Sequence, residues 1–356
     1  RLFLSGNCVM VFIDCFPMKY KNTGLYSFCD ELSRALVSNA GSGTPERYGF
    51  HVPQEMIGVF GAEHTYIPIR KLTRFFFWDR RIRLWHSTWQ KARRIPKGCP
   101  TVNTIHDLNF LYEDVSERKK NIYMRRIEKS LRNSQCIVAI SEFVKRDILN
   151  YIDVRDIPVH TIYNGCNRFH GELLTPSYTP LRPFIFSVGT ILPKKNFHVL
   201  PCLLECNDME LVLAGNISEY ANTIMSEARR WNVEDRVHIV GPVSEGEKHW
   251  YLSKCSAFAF PSIAEGFGLP VIEAMSYGKP VFLSKHTCLP EIGGSEAFYF
   301  NYEFEPRAMQ EEFVNGMDLY QSDAECRARI VREHALKFSW DETARKYRQI
   351  YNQLLQ

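Results

Sequence analysis

The stretch PSIAEGFGLPVIEAMSYGKP, residues 261–280, decides how the rest of the chain is read. Just before it, Ala257 to Phe260 is a short apolar, aromatic run stopped by Pro261 and Ser262, the pattern of a buried strand that ends in a turn. Gly266 and Gly268 flank Phe267 and allow the backbone a positive φ or a close approach to a ligand. Leu269 and Pro270 suit the opening turn of a helix that runs on through Glu273, Ala274 and Met275. A strand, a glycine turn and a helix N-terminus in succession leave unpaired N–H groups and a positive dipole end facing outward, which suits a phosphate or diphosphate. Glu265 and Glu273 stand either side of that anion site, about two helical turns apart. A carboxylate at Glu273 is able to accept hydrogen bonds from a vicinal diol such as a ribose. The plainer alternative is a buried strand-to-helix turn that carries two surface glutamates.

Outward from this stretch, apolar runs and polar or glycine-containing breaks alternate along the chain, which predicts an α/β protein. In the second half, strands are predicted at Phe184–Val188, Leu211–Ala214, Val237–Val240 and Pro280–Ser284. The first of these runs into a polar loop, Gly189 to Asn196, ahead of a helix expected from Phe197. Lys194 and Lys195 in that loop are either ordinary solvated lysines or cations aimed at an anion above the sheet, and their place after a first strand favours the second reading. In the first half, strands are predicted at Val9–Phe12, Leu84–Ser87, Thr101–Ile105, Cys136–Ile140 and Val159–Tyr163. Helices open near Gly24 and span Arg118–Leu131, and Ser141 supplies N-cap chemistry for another. The glycine-, serine- and proline-rich tract Ala40–Pro53 reads as a loop. His106 falls at the carboxyl end of a strand, where parallel sheets open their ligand crevice. A lone histidine is more often structural than functional. Gly171–Pro183 reads as a linker, and an amphipathic helix closes the chain at Leu355.

At 356 residues the chain is long enough for two domains with separate cores. No apolar run approaches the roughly 18 residues that span a bilayer. Eleven scattered cysteines indicate neither a disulfide framework nor a zinc site, and a reducing cytoplasm is expected. The sequence starts at Arg1 without a signal-peptide pattern, and nothing about targeting is read from it. The net charge of +4 hides an asymmetry: residues 1–170 hold 26 lysines and arginines against 16 acids, and residues 171–356 hold 18 against 24. Ten of the basic residues lie in 70–97, interleaved with Phe75, Phe76, Phe77, Trp78, Trp85 and Trp89. This mixture suits either contact with an anionic membrane surface or a solvated helix with a buried aromatic face. No nucleic-acid-binding module accompanies the charge, so no nucleic-acid partner is expected.

The segment EGFGLPVIEAMSYGKPV, with Glu265 and Glu273 separated by seven residues, resembles the retaining nucleotide-sugar glycosyltransferases of family four. So do Thr104–Leu108 (TIHDL, a THDL-type segment), AISEFVKRDI around Ser141, Asn164-Gly165 and Leu289-Pro290-Glu291. The resemblance runs from about Tyr20 to Tyr351 and implies the GT-B fold: two Rossmann-like doubly wound parallel-sheet domains facing a central cleft. The expected domains are 1–170 for the acceptor and 171–337 for the nucleotide sugar, with 338–356 as a helix crossing back to the first. The resemblance further implies that Gly24 faces the donor diphosphate, that His106 contacts the transferred sugar and that Glu265 binds its hydroxyls. It places Glu273 on the ribose and Val243 along the base. Gly189, Thr190, Lys194, Lys195, Gly266, Phe267, Gly268 and Leu269 are placed about the diphosphate. Many family members carry an arginine directly after the glycine, where this chain has Thr190.

Breaking a glycosyl–phosphate bond leaves an oxocarbenium-like sugar and a diphosphate, so positive potential matters more than a strong base. With no Asp-X-Asp motif in the chain, neither a metal nor a cofactor is expected. The resulting expectation is a hexosyltransferase that retains configuration, with GDP-mannose preferred weakly over a UDP-sugar as donor. The expected acceptor is a glycan or a lipid-linked glycan, met at the inner face of the membrane during cell-surface polysaccharide synthesis. The alternatives are a UDP-glucose-dependent transferase and a nucleotide-sugar-binding protein without turnover.

Overall fold

The computed structural model describes residues 10–21, 23–38, 47–69, 82–91, 98–166, 169–205 and 207–356. The chain divides into two compact units, Arg1–Gly165 with Ser339–Gln356, and Cys166–Phe338.

The first unit is built on seven parallel strands: β1 (Met10–Asp14), β2 (Arg47–Val52), β3 (Thr65–Pro68), β4 (Ile82–Ser87), β5 (Thr101–Ile105), β6 (Cys136–Ala139) and β7 (Val159–Thr161). The second is built on six: β8 (Phe184–Val188), β9 (Glu210–Ala214), β10 (Val237–Gly241), β11 (Ala257–Phe260), β12 (Val281–Leu283) and β13 (Phe298–Tyr299). Around them lie α1 (Gly24–Ser38), α2 (Glu117–Leu131), α3 (Glu142–Tyr151), α4 (Ala221–Arg230) and α5 (Glu245–Lys254). Then follow α6 (Leu269–Ser276), α7 (Leu289–Gly293), α8 (Pro306–Gln321), α9 (Ala324–Ala335) and α10 (Trp340–Leu355). The inner strands are buried along their whole length, as in Val11-Phe12-Ile13 and Ala257 to Phe260, because helices cover both faces of a parallel sheet. In the second unit, Ile185, Leu211 and Leu213 pack into one core layer while Phe184, Phe186 and Val212 pack into the layer opposite, following the two-residue alternation of a strand.

Strand order is β3-β2-β1-β4-β5-β6-β7 in the first sheet and β10-β9-β8-β11-β12-β13 in the second. Successive strands run one way and then restart on the other side of the first strand, so the order reverses between β1 and β4 and between β8 and β11. In doubly wound sheets the ligand crevice lies outside the carboxyl ends of the strands at that reversal. For the second unit, this is where the loops after β8 and β11 lie.

Several expectations change. Arg47–Val52 is a strand in the first sheet, paired in parallel with β1, and not part of a loop. Its Tyr48, Phe50 and Val52 are buried, an alternation masked in the sequence by the small residues that precede it. Residues 39–46 lie outside the described residues. In place of a helix from Phe197 there are two short 3-10 turns, Phe197–Val199 and Pro201–Leu204. Asn196 adopts the left-handed conformation at φ 58 and Pro201 has no N–H to continue an α-helical ladder. The linker expected over 171–183 is held by the second unit. Leu174 N donates to Gly246 O, and the buried Glu210 carboxylate accepts from Leu181 N, Arg182 N and the Tyr178 hydroxyl. Of the basic, aromatic segment 70–97, residues 82–91 are described and hold β4, with Leu84 and Trp85 buried. The rest of that membrane-contact candidate lies outside the described residues.

α10 belongs to the first unit and packs beside α1 and β4. The Tyr351 hydroxyl lies 2.7 Å from His86 Nδ1, His86 Nε2 lies 2.8 Å from Thr104 Oγ1, and Thr104 Oγ1 lies 2.8 Å from the Tyr347 hydroxyl. Whichever imidazole nitrogen carries the proton, a hydroxyl beside it is able to take the complementary role. Burial pushes His86 down to about 3, so the ring is neutral at pH 7.

Candidate functional site

The second unit's site begins with backbone geometry. A Cβ on Gly215, at φ +139, would stand 2.1 Å from Gly189 O, so the chain after β9 fits beside the chain after β8 only because residue 215 has no side chain. Gly189 N donates to Ala214 O at 2.9 Å, and Ile191 N donates to Asn216 O at 2.9 Å. Thr190 therefore sits in a stretch pinned on both sides. Pro193–Lys195 forms a single 3-10 turn, and its Lys194 carbonyl accepts from Ile263 N at 2.9 Å and lies 3.0 Å from Ser262 Oγ.

That stitching carries Lys195 to Glu265. The ammonium donates to Oε1 at 2.5 Å, and Ser262 Oγ donates to the same oxygen at 2.6 Å. Lys195 Nζ also stands 4.8 Å from the centre of the Phe260 ring. Both members of the ion pair are 14% exposed, enough to meet a ligand and too little for water to screen them fully. Behind the pair, Glu265 N donates to Thr287 Oγ1 at 3.2 Å and Cys288 Sγ donates to Glu265 O at 3.3 Å. Thr287 is β-branched yet has φ 54, a strained conformation of the kind that clusters at ligand sites. Past Glu265, Gly266 and Phe267 are buried, with the Phe267 ring edge-on to Phe338. Gly268 takes φ +91 as N-cap of α6, and no side chain caps that helix start at Leu269. Among the predicted residues, Val243 is half-buried at the margin of the second core layer.

Glu273 is neither a surface carboxylate nor a partner to Glu265. It is 3% exposed on α6 and turned toward α5, where Lys248 Nζ lies 3.2 Å from Oε1 and 3.1 Å from Oε2. Lys248 also meets Glu245 at 2.9 Å. The lysine is held above its ordinary value: burial works against its charge, and the carboxylates of Glu273 and Glu245 outweigh that.

In the first unit, His106 follows β5 and is buried, its ring edge-on to Phe28 at 4.6 Å. Nε2 donates to Thr88 O at 2.8 Å, which fixes the tautomer. Burial pushes this histidine down to about 4 despite that bond, so it is neutral at pH 7. Gln90 clamps the turn, with its Oε1 accepting from His106 N and its Nε2 donating to Asp107 O. Asp107 caps the next turn by accepting from Asn109 N. Gly24 opens α1, and nothing lies within 4 Å of where its Cβ would stand. Sequence reasoning missed His51, whose Nδ1 lies 2.8 Å from Asp14 Oδ1 at the ends of β2 and β1, because it was read as part of a loop. It also missed Ser262, Thr287 and Lys248. Only Lys248 left a trace, as the later partner of Glu245 three positions earlier on a helix face.

Residues 27–168 match the profile of Glycosyltransferase Family 4, and residues 180–336 match that of Glycosyl transferases group 1. The chain belongs to the group 1, family-four glycosyltransferases. It is 26% identical over 200 residues to the O-antigen chain mannosyltransferase RfbU of Salmonella typhimurium, a match covering 56% of each chain. The chain thus spans little more than half the length of that curated relative. It is 29% identical over 255 residues to the GDP-mannose:cellobiosyl-diphosphopolyprenol alpha-mannosyltransferase of Komagataeibacter xylinus, covering 69% of this chain and 63% of that one. The structure of sucrose-phosphate synthase from Thermosynechococcus elongatus superimposes with a TM-score of 0.72 at 18% identity, over 97% of this chain and 98% of that one. The fold is GT-B, as expected. Both ion pairs of this family-four chain, Lys195–Glu265 and Lys248–Glu273, fall within the group 1 match, and His106 falls within the family-four match.

Proposed function

We propose that the protein transfers a hexose, with mannose favoured, from a nucleotide diphosphate sugar to a glycan or lipid-linked acceptor, with retention of configuration and without a metal. The observation that carries this reading is the Lys195–Glu265 pair, set where the strand order of the second sheet reverses. Lys195, Lys194 and the uncapped N-terminus of α6 supply positive potential for a diphosphate leaving group. Glu265 binds hydroxyls of the transferred sugar, Glu273 the ribose, and neutral His106, whose one N–H is given to Thr88 O, accepts one hydrogen bond from the sugar through Nδ1. Val243 lines the base, and Gly24, Gly189, Thr190, Gly266, Phe267, Gly268 and Leu269 shape the phosphate path. The donor phosphate takes the acceptor's proton as the new glycosidic bond forms on the face the leaving group vacates.

The names of the relatives support mannose, GDP as carrier and a polysaccharide pathway. Free thiols at nine cysteines among the described residues support a reducing cytoplasm. No helix of the described residues is long and apolar enough to cross a membrane, and we place the protein at the inner membrane face by its basic segment 70–97. A UDP-sugar is the competing donor. Thr190, neutral where many relatives of this type carry arginine, favours a second reading as a binding protein without turnover. The test is nucleotide release from GDP-mannose and UDP-glucose with a polyprenyl-diphosphate-linked acceptor, with Lys195→Ala and Glu265→Gln as controls. Release that both substitutions abolish supports transfer; donor binding with no release on any acceptor rejects it.

A further inference from the structure

Helix α2 carries a row of cations that the transfer chemistry does not use. At 3.6 residues per turn, Arg118, Ile122, Arg125, Lys129 and the C-cap Arg132 fall within about 80° of arc, with Arg126 beside them. All six are exposed, Ile122 by 40%. On the opposite side Ile127, Ser130 and Leu131 are buried. Glu117 and Glu128 lie outside the arc, and Glu117 is paired with Lys120 at 3.1 Å. Among the described residues, none of the five cations on this face has an acidic partner. Like charges three or four positions apart, as in Arg125, Lys129 and Arg132, weaken a helix. The dipole at the helix C-terminus offsets this for Lys129 and Arg132, but not for Arg118, Arg125 or Arg126.

We infer that this face of α2 docks on an anionic lipid surface, its five cations meeting headgroup phosphates and Ile122 entering the headgroup layer between them. The inference rests on the reading that the protein works at the inner membrane face, and it adds a contact on α2 to that of segment 70–97. Opposite charge is what relieves a face of unpaired cations, and a flat layer of phosphates meets the whole row, about 22 Å long, at once. The exposed isoleucine in mid-row favours lipid over nucleic acid, because it gains only where there is an apolar layer to enter. No ring on this face is offered to a base: Tyr123 is turned to Phe110, with centroids 5.4 Å apart. Phe110 lies in the turn after His106, and Ser130 Oγ lies 2.9 Å from the carbonyl oxygen of Gln90, the residue that clamps His106. The frame that holds His106 thus also holds the docking face, which suits an acceptor whose sugar is presented from a lipid.

The experiment is sedimentation of the full chain with phosphatidylcholine vesicles, with and without phosphatidylglycerol, over a range of salt, beside titration with GDP. Wild type is expected to bind only the mixed vesicles and to lose that binding as salt rises. Each cation at such a surface is worth about fivefold in partition, so Arg125→Gln/Lys129→Gln/Arg132→Gln should bind roughly a hundredfold more weakly. Ile122→Ser should bind a few-fold more weakly with the same salt dependence. Arg229→Gln/Lys254→Gln/Arg307→Gln, an equal loss of charge from exposed positions on the second unit, should bind as wild type does, and all variants should keep their affinity for GDP. If the α2 triple variant melts early, Arg125→Gln alone, about fivefold weaker, gives the same reading. Vesicle binding that survives the α2 substitutions but is lost in Arg80→Gln/Arg81→Gln/Arg83→Gln overturns the inference and leaves the membrane reading standing. Equal weakening by the second-unit control overturns it too, since net charge alone would then be the cause. A wild type that ignores mixed vesicles overturns the inference and the membrane reading together, and binding of duplex DNA through the same three α2 residues would then assign the face to nucleic acid.

Discussion

Lys195 and Glu265, seventy positions apart in the sequence, are joined at 2.5 Å, with the Ser262 hydroxyl donating to the same carboxylate oxygen. The pair ties the loop after β8 to the loop after β11, so it is a structural clamp as well as the core of the proposed donor site. Removing one partner leaves the other charge poorly compensated. Lys195→Met is expected to destabilise the second unit by about 3 kcal/mol, at the low end for breaking a buried pair. Glu265→Gln, which keeps the bond from Ser262, is expected to cost less. In a double-mutant cycle measured by urea unfolding, the combined variant should lose clearly less than the sum of the two. Simple additivity would show that the pair contributes nothing beyond its separate parts.

The contact between Gly215 and Gly189 predicts a graded response to added methyl groups. Gly215→Ala drives a Cβ to 2.1 Å from a backbone carbonyl at a φ that L-residues avoid, and is expected to abolish donor binding and cost several kcal/mol, of order 3 or more. Gly241→Ala, whose nearest neighbour is the flexible Ile217 side chain at 3.8 Å, carries backbone strain alone and is expected to cost about 1 kcal/mol. Thermal melts with and without nucleotide compare the two. Equal losses would mean that the carbonyl contact is not what glycine is there to permit.

The hydroxyls of α10 make a separate prediction. Tyr351→Phe leaves His86 Nδ1 buried without its donor or acceptor and is expected to destabilise the first unit by roughly 1–3 kcal/mol. Tyr347→Ala, which empties a fully buried aromatic site, should cost more, about 3–5 kcal/mol. Chemical unfolding followed by the fluorescence of Trp340 measures both. A Tyr351→Phe variant as stable as wild type would mean that the hydroxyl network adds nothing to the packing of the rings.

Acid should loosen the structure in a defined window. His86 and His106 are pushed down to about 3 and about 4 in the folded chain, against 6.5 ordinarily, in both cases by burial. The unfolded chain therefore binds the extra protons below pH 6.5. Stability is fully present above that value, falls as the pH drops, and the loss from these two groups is complete near pH 4 for His106 and pH 3 for His86. Each adds a slope of roughly 1 kcal/mol per pH unit inside its window. His86→Leu should remove one such slope from unfolding midpoints measured between pH 6.5 and 4.5, whatever it does to stability at pH 7. For the same reason, no limb near pH 6.5 in a profile of activity should trace to His106.

Much of this architecture was legible in the residues. Ala257–Phe260, Thr101–Ile105 and Phe184–Val188 were predicted with their observed bounds, because continuous apolar runs closed by turn residues are what an inner parallel strand requires. Ser141 was read as a cap and does accept from Val144 N. The strand at Arg47–Val52 was hidden by its small-residue neighbours, and the turns after Phe197 by a local periodicity that Asn196 and Pro201 interrupt. The candidate site was legible as a set of residues but not as a set of pairs. The sequence separation of Lys195 from Glu265, or of Lys248 from Glu273, carries no trace of which cation meets which acid; the strand order and the helix faces settle that. Thr287 was unreadable for a further reason, since no residue pattern announces a threonine forced into the left-handed region.

The first unit's sheet is completed by a helix that leaves the ribosome only after the whole second unit has been made. Thr104 waits 243 residues for Tyr347, and His86 waits 265 for Tyr351, while everything between Cys166 and Phe338 closes on itself. During synthesis the second unit is therefore free to finish first, and the earlier-made unit stays open along the α10 groove until α10 itself emerges. A nascent chain stalled short of residue 340 would carry a protease-resistant second unit behind a first unit that is still digestible, the reverse of the order in which the two units emerge.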